Sequence, residues 1–281
     1  MRQMSRSRSG ILGASVIYLF LFIVLVISLF PVCWAALTST KTNTEIITRP
    51  YGLPEKIEWI NYALAWDIGH FASYAVNSVI VTVPAVLVTV TVSLLAGFSL
   101  AKLKIRGSRF ILLFFLLGLM VPFHGYMIPV YLNMRALNLL DNRLGTALVI
   151  SAVGLPFSIY LMKSALSKVP DELMESAALD GANPARVLLR IVAPLSMPTI
   201  TALLVIQTIS SWNDLIVPLI TLQSGVLRTI SIGLTFYRTR FSDDYALTAA
   251  GAIIAATPLL IVYVAFQRQF VRGILAGAIK S

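Results

Sequence analysis

The chain has 281 residues, 58% of them hydrophobic and 12% charged, with a mean hydropathy of +0.85. Soluble domains are roughly 45–50% apolar and about 25% charged, so this composition excludes an ordinary soluble domain and points to a bilayer, which accepts helices that are apolar all round. One cysteine, Cys33, excludes an internal disulfide, and two histidines, His70 and His124, supply no cluster at metal-ligand spacing.

Six segments reach the roughly 20 apolar residues that a crossing of about 30 Å requires: 15–37, 73–100, 110–129, 144–162, 198–222 and 245–266. The expected fold is therefore all-α and polytopic, with residues 1–14 and 268–281 outside a transmembrane domain of residues 15–267. The first segment follows the basic start "MRQMSRSRSG", but it exceeds a signal-peptide core and is read as a retained span. Residues 38–72 form the longest outer segment, where "EWINYALAW" reads as a short interfacial helix with Trp59 and Trp66 as anchors.

The net charge of +10 is scattered between the apolar runs, not gathered into the basic, aromatic-interleaved stripe of a nucleic-acid binder. Fourteen Lys and Arg fall on the side holding both termini and the loops 101–109 and 163–197; eight fall on the other. By the positive-inside rule both termini face the cytoplasm.

The loop 163–197 carries "VPDELMESAALDGANPARVLLRIVAP" (residues 169–194), too charged to cross. Pro170 suits the first turn of a helix, and Asp171, Glu172 and Glu175 place negative charge at its positive end. Leu173, Met174, Ala177, Ala178 and Gly181 fall at helical intervals and make a face of mostly small side chains. Gly181 ends that helix, and Asn183 with Pro184 supply the cap and first-turn proline of a second one, which bears Arg186 and Arg190. Loop physics alone leaves two readings open, a docking element or a structured link between spans four and five.

Glu175-Ser176-Ala177, three residues, Gly181, nine residues, Ile191, one residue and Ala193-Pro194 resemble the EAA loop of binding-protein-dependent ABC importer permeases. Ser176 and Ala193 replace that pattern's alanine and leucine. "LFPVCWAALTSTK", "YAVNSVIV", "GFSLAKLKIRGSR", "MIPVYLNMRALNLLDN", "PFSIYLMKSALSKVPDEL", "SWNDLIVPL" and "FQRQFVRGILAGAIKS" are similar, in order, to maltose-type sugar importer permeases. The resemblance implies that permease fold and a coupling loop that docks on an ATPase dimer. In it Glu175, Ser176 and Asp180 would be contacts, Ala177 the close-packed point and Gly181 the turn. It also implies that Gly277, Ala278 and Lys280 of the tail reach the ATPase. A second permease subunit, an external solute-binding protein, membrane lipid and a small sugar substrate complete the implied partners, with ATP and Mg held by the ATPase.

No G-x-x-x-x-G-K-[ST] loop is present, nor H-E-x-x-H, nor G-x-S-x-G, so no catalytic residue is assigned and the chain reads as a transporter subunit, not an enzyme. In span five, Gln207, Ser210, Ser211, Asn213 and Asp214 accompany Trp212, a set of donors, acceptors and an aromatic plane that suits a sugar. The same residues serve equally as hydrogen-bonding partners of a broken helix before Pro218. Asn77 and Ser78 in span two, and His124 and Tyr126 in span three, are further candidates for the pathway, with structural roles as the simpler reading. An ion-coupled carrier would carry several ionisable groups inside its spans, whereas Asp214 stands alone there; a non-transporting scaffold would need no polar interior.

Overall fold

The computed structural model describes residues 8–103, 105–240 and 244–278, with side chains for 13–103, 105–235 and 244–267. Among them all regular structure is helical, as the composition requires. In chain order come α1 (Arg8–Thr38), α2 (Asn43–Thr48), α3 (Ile60–Ile68), α4 (Phe71–Lys102) and α5 (Ser108–Met120). A 3-10 turn at Phe123–Gly125 leads to α6 (Met127–Ala136) and α7 (Arg143–Leu166). The loop hairpin holds α8 (Glu172–Leu179), α9 (Pro184–Val187), a π-turn at Leu188–Val192 and α10 (Ala193–Leu195). Then follow α11 (Met197–Asn213), α12 (Ile216–Thr221), α13 (Ile230–Arg240) and α14 (Tyr245–Ala278).

Four stretches are long and apolar enough to cross a bilayer: Gly13–Thr38, Phe71–Lys102, Arg143–Leu166 and Tyr245–Gln267. The expected third and fifth spans are interrupted. Val121 is extended, as the residue before a proline prefers to be, and α5 stops at 13 residues ahead of Pro122. Asp214 is also extended, four residues before Pro218, whose missing N–H would break an uninterrupted helix there. A bend of 81° separates the segment Pro184–Leu195 from α11, and counted as one bent pair they make a fifth candidate. α1 begins at Arg8 and α14 continues to Ala278, each running into the segments expected as termini.

The chain divides into two compact units, Met1–Gly69 with Tyr237–Ile254, and His70–Phe236 with Ala255–Ser281. In the first, the central window of α1 buries nothing against the rest of the chain, which suits a helix facing lipid or another subunit. Its end is tied down tightly. The buried Lys41 donates through Nζ to the carbonyls of Arg49 (3.1 Å) and Pro50 (3.3 Å), and Asn61 Nδ2 donates to those of Ser39 and Lys41. The helix expected within "EWINYALAW" is α3, with Trp59 and Trp66 exposed and Ala65 packed against Leu247 and Ala250.

The second unit is built on α4 and α7, which run parallel in register. Arg143 donates to Asn77, and Ser151 Oγ to the carbonyl of Ala85, each pair 66 residues apart. At the far end a Cβ on Gly97 would lie 2.9 Å from the backbone nitrogen of Lys163, so the two backbones meet there. Small buried residues along the seam, Ala85, Ser93, Ala147, Ser151 and Ser158, permit this approach, the usual basis of helix association in lipid. α11 crosses the pair and joins the core at the ends of α4 and α7.

Candidate functional site

The loop hairpin folds as its sequence dictates. α8 ends in a Schellman motif: Gly181, at φ 73°, donates to the carbonyl of Ala178 (3.0 Å), and Ala182 to that of Ala177 (2.9 Å). Asn183 Oδ1 then accepts from the Arg186 N–H (2.8 Å), capping α9 ahead of Pro184. The expected second helix is not regular; it passes through the π-turn at Leu188–Val192 before reaching Pro194.

The hairpin is not a loose appendage. Ala177, Val187, Leu188 and Val192 are buried in one apolar cluster with Phe98 of α4, Met162 and Leu166 of α7, and Leu203 of α11. The close packing expected at Ala177 is therefore made inside the chain, where a small side chain lets α8 approach its own core. Of the predicted apolar face, Met174 and Ala177 turn inward while Leu173 and Ala178 remain exposed. The outward surface of the hairpin holds Glu172, Glu175, Ser176 and Asp180 around Leu179, which is 90% exposed beside the turn. Sequence reading passed over Leu179, because its place opposite the inward face is visible only once that face is known.

Lys102 was passed over as well. Its Nζ donates to the Val169 carbonyl and meets Asp171 Oδ1 at 2.6 Å, fixing the last turn of α4 to the entry of α8. A basic residue at a helix C-terminus was legible; a partner 69 residues away was not.

The span-five residues separate into two groups. Gln207 is buried and donates to Ser158 Oγ (2.9 Å), its side chain filling the space where Gly154 lacks a Cβ. Ser211 reaches Thr82 at 3.4 Å, and Trp212 Nε1 reaches the Ala255 carbonyl at 3.4 Å. Asp214 accepts from the Val217 N–H (3.1 Å) and so caps α12. These four join helices. Ser210 and Asn213, one turn apart, make no side-chain hydrogen bond among the described residues and are exposed. Asn77 is buried, donating to the carbonyls of Val226 and Arg228, and Ser78 accepts from the Ile230 N–H. His124 is exposed in the 3-10 turn. Lys280 lies outside the described residues, and of Gly277 and Ala278 only the helical backbone is described. Among the described residues no three His, Cys, Asp or Glu are placed to hold a metal.

The inner face of the hairpin is thus continuous with the core shared by α4, α7 and α11. A protein-family profile described as "binding-protein-dependent transport system inner membrane component" matches residues 89–275. The diacetylchitobiose uptake system permease protein DasC of Streptomyces coelicolor is 33% identical over 99% of this chain and all of that protein. The probable ABC transporter permease YurM of Bacillus subtilis is 31% identical over 98% of this chain and 91% of its own length. Among solved structures, a bacterial ABC transporter involved in import of the acidic polysaccharide alginate has a chain that superposes with a TM-score of 0.78 and 26% identity, covering 95% of this chain and 100% of that one. The family's members are inner-membrane transport subunits, not enzymes, and work with another permease, an ATPase and a binding protein. The chain belongs to the binding-protein-dependent ABC importer permeases, with the fold of that family.

Proposed function

We propose that the chain forms half of the pathway by which a sugar or sugar-like solute crosses the cytoplasmic membrane by alternating access. It has six spans, the third and fifth of them broken, and both termini inside. A second, different permease subunit completes the pathway. An external solute-binding protein delivers the solute, and an ATPase dimer holding ATP and Mg drives the cycle through Glu175, Ser176, Asp180 and Gly181, with Gly277, Ala278 and Lys280 as a further contact. The sugar assignment is supported by relatives named for diacetylchitobiose, arabinooligosaccharides and starch degradation products. Ser210 and Asn213 are the span-five side chains available to the solute.

One observation carries the mechanism: residues of the hairpin share a buried cluster with the ends of α4, α7 and α11. A force on α8 is then delivered to three helices as a rigid-body shift, the kind of motion that packed cores transmit. The test is ATP-driven uptake in vesicles containing the whole importer. Glu175→Lys and Gly181→Trp are expected to uncouple uptake from ATP hydrolysis with membrane insertion intact. Normal uptake by both, or uptake that persists on an ion gradient after ATP depletion, would overturn the reading.

A further inference from the structure

Residues 222–229 connect α12 to α13 and are tied to other helices at both ends, as a strap. At the first end, Asp141 Oδ1 accepts from the N–H groups of Gln223 (2.7 Å) and Ser224 (2.8 Å), in the turn that leads into α7. At the second, Asn77 Nδ2 donates to the carbonyls of Val226 (2.8 Å) and Arg228 (3.0 Å), and Ser78 Oγ accepts from the Ile230 N–H (2.9 Å). Asn77 is 4% exposed, and its Oδ1 accepts from Arg143 Nη1 at 2.8 Å. One buried amide therefore joins α4, the first residue of α7 and the strap. The strap also stores a bias against its own position. Among the described residues Thr229 Oγ1 is the buried side-chain atom that lacks a hydrogen-bond partner, whereas buried polar groups are ordinarily paired. That unpaired hydroxyl disfavours the arrangement, and the bonds to Asn77, Ser78 and Asp141 offset it.

We infer that Asn77 is a positioning residue for transport: it makes the strap follow the α4–α7 pair, so that the hairpin at one end of that pair sets the position of the strap at the other. The inference rests on the proposed function, in which an ATPase drives the hairpin and the strap lies on the outer face. Phe98, which shares the buried cluster of the hairpin, stands about 30 Å from Asn77 along α4. Helices that meet backbone to backbone, as α4 and α7 do at Gly97, carry a displacement over such a distance when it ends on an element with two arrangements. The strap is that element. Released from Asn77, the Thr229 hydroxyl is free to reach the water or partner it lacks here, and re-forming the Asn77 bonds restores the first position.

The experiment is hydrogen exchange of residues 222–230 in the intact importer in lipid nanodiscs, nucleotide-free and held with ATP and vanadate, alongside uptake per ATP hydrolysed. Exchange in the parent is expected to differ between the two states. Asn77→Asp keeps the acceptor for Arg143 but turns an oxygen toward the two carbonyls, so its nucleotide-free strap should exchange about tenfold faster, as for loss of one hydrogen bond. Its uptake per ATP should fall with the solute KM unchanged. Thr229→Val removes the unpaired hydroxyl and should slow exchange. Ser99→Ala, on a hydroxyl that bonds within α4 to the Leu95 carbonyl, should change neither readout. Equal exchange in the two states, a change of the same sign in Asn77→Asp and Thr229→Val, or a raised KM with uptake per ATP intact in Asn77→Asp would overturn the inference. Exchange is read without transport, so a strap indifferent to the ATPase state, in an importer that Glu175→Lys uncouples, defeats this inference and leaves the proposed function standing.

Discussion

Lys102 and Asp171 stand 2.6 Å apart, with the lysine side chain 3% exposed and the aspartate side chain 75% exposed. The pair is asymmetric. Removing Asp171 leaves Lys102 bonded to the Val169 carbonyl, whereas removing Lys102 takes away the buried donor that the Val169 carbonyl and Asp171 share. Asp171→Asn should therefore cost under about 1 kcal/mol, as for a solvent-screened ion pair. Lys102→Met should cost about 1–3 kcal/mol, since it orphans a carbonyl. Melting temperatures of the purified importer check the order, and Lys102→Met should in addition lower uptake per ATP hydrolysed.

Gly97 sets how closely α4 and α7 approach. A Cβ there would meet backbone nitrogen of Lys163 at 2.9 Å and Met162 Cβ at 3.0 Å, neither of which can swing aside. A Cβ on Gly118 would meet Pro156 Cγ at an ordinary 3.7 Å. Gly97→Ala should destabilise by about 1–3 kcal/mol through overpacking, and Gly118→Ala should change stability by less than about 0.5 kcal/mol. Equal unfolding midpoints for the two would refute the seam.

The hairpin shows how much could be read without coordinates. Its turn at Gly181, its cap at Asn183 and its first-turn proline are local chemistry, and each stands where the sequence placed it. The anchor at Lys102 and the role of Gln207 depend on partners 69 and 49 residues distant, and the inward turn of Ala177 on a core built with other helices, none of which spacing along one helix can reveal. The broken spans were half-legible. Pro122 and Pro218 stood in plain view, but an apolar count of about 20 residues does not register a break.

Span five divides its polar residues between structure and passage, and that division is measurable. Gln207→Leu should destabilise by about 0.5–1.5 kcal/mol, in the range of interhelical hydrogen bonds in membranes, and should be non-additive with Ser158→Ala because the two share one bond. Ser210→Ala and Asn213→Ala should leave unfolding unchanged and raise the KM for the transported solute. A solute KM that responds to Gln207→Leu and ignores Asn213→Ala would reverse the assignment.

Asp141 fastens the turn before α13. Its carboxylate accepts from the backbone N–H groups of Gln223 (2.7 Å) and Ser224 (2.8 Å) and from the Ser224 hydroxyl. These bonds, the Ser224 hydroxyl foremost, hold its pKa below the ordinary value of 3.8. A depressed carboxylate contributes stability that is full above the unfolded pKa and is lost as pH falls through the folded one. The turn should thus stay fastened at neutral pH and through mild acid, and loosen only below the ordinary aspartate range. Asp141→Asn, which keeps one acceptor oxygen and loses the charge, should loosen it at every pH. Hydrogen exchange at the Gln223 and Ser224 amides, compared between the two proteins at pH 7 and again in acid, reads this directly. Protection in Asp141→Asn equal to that of the parent at pH 7 would show that the charge does not hold the turn.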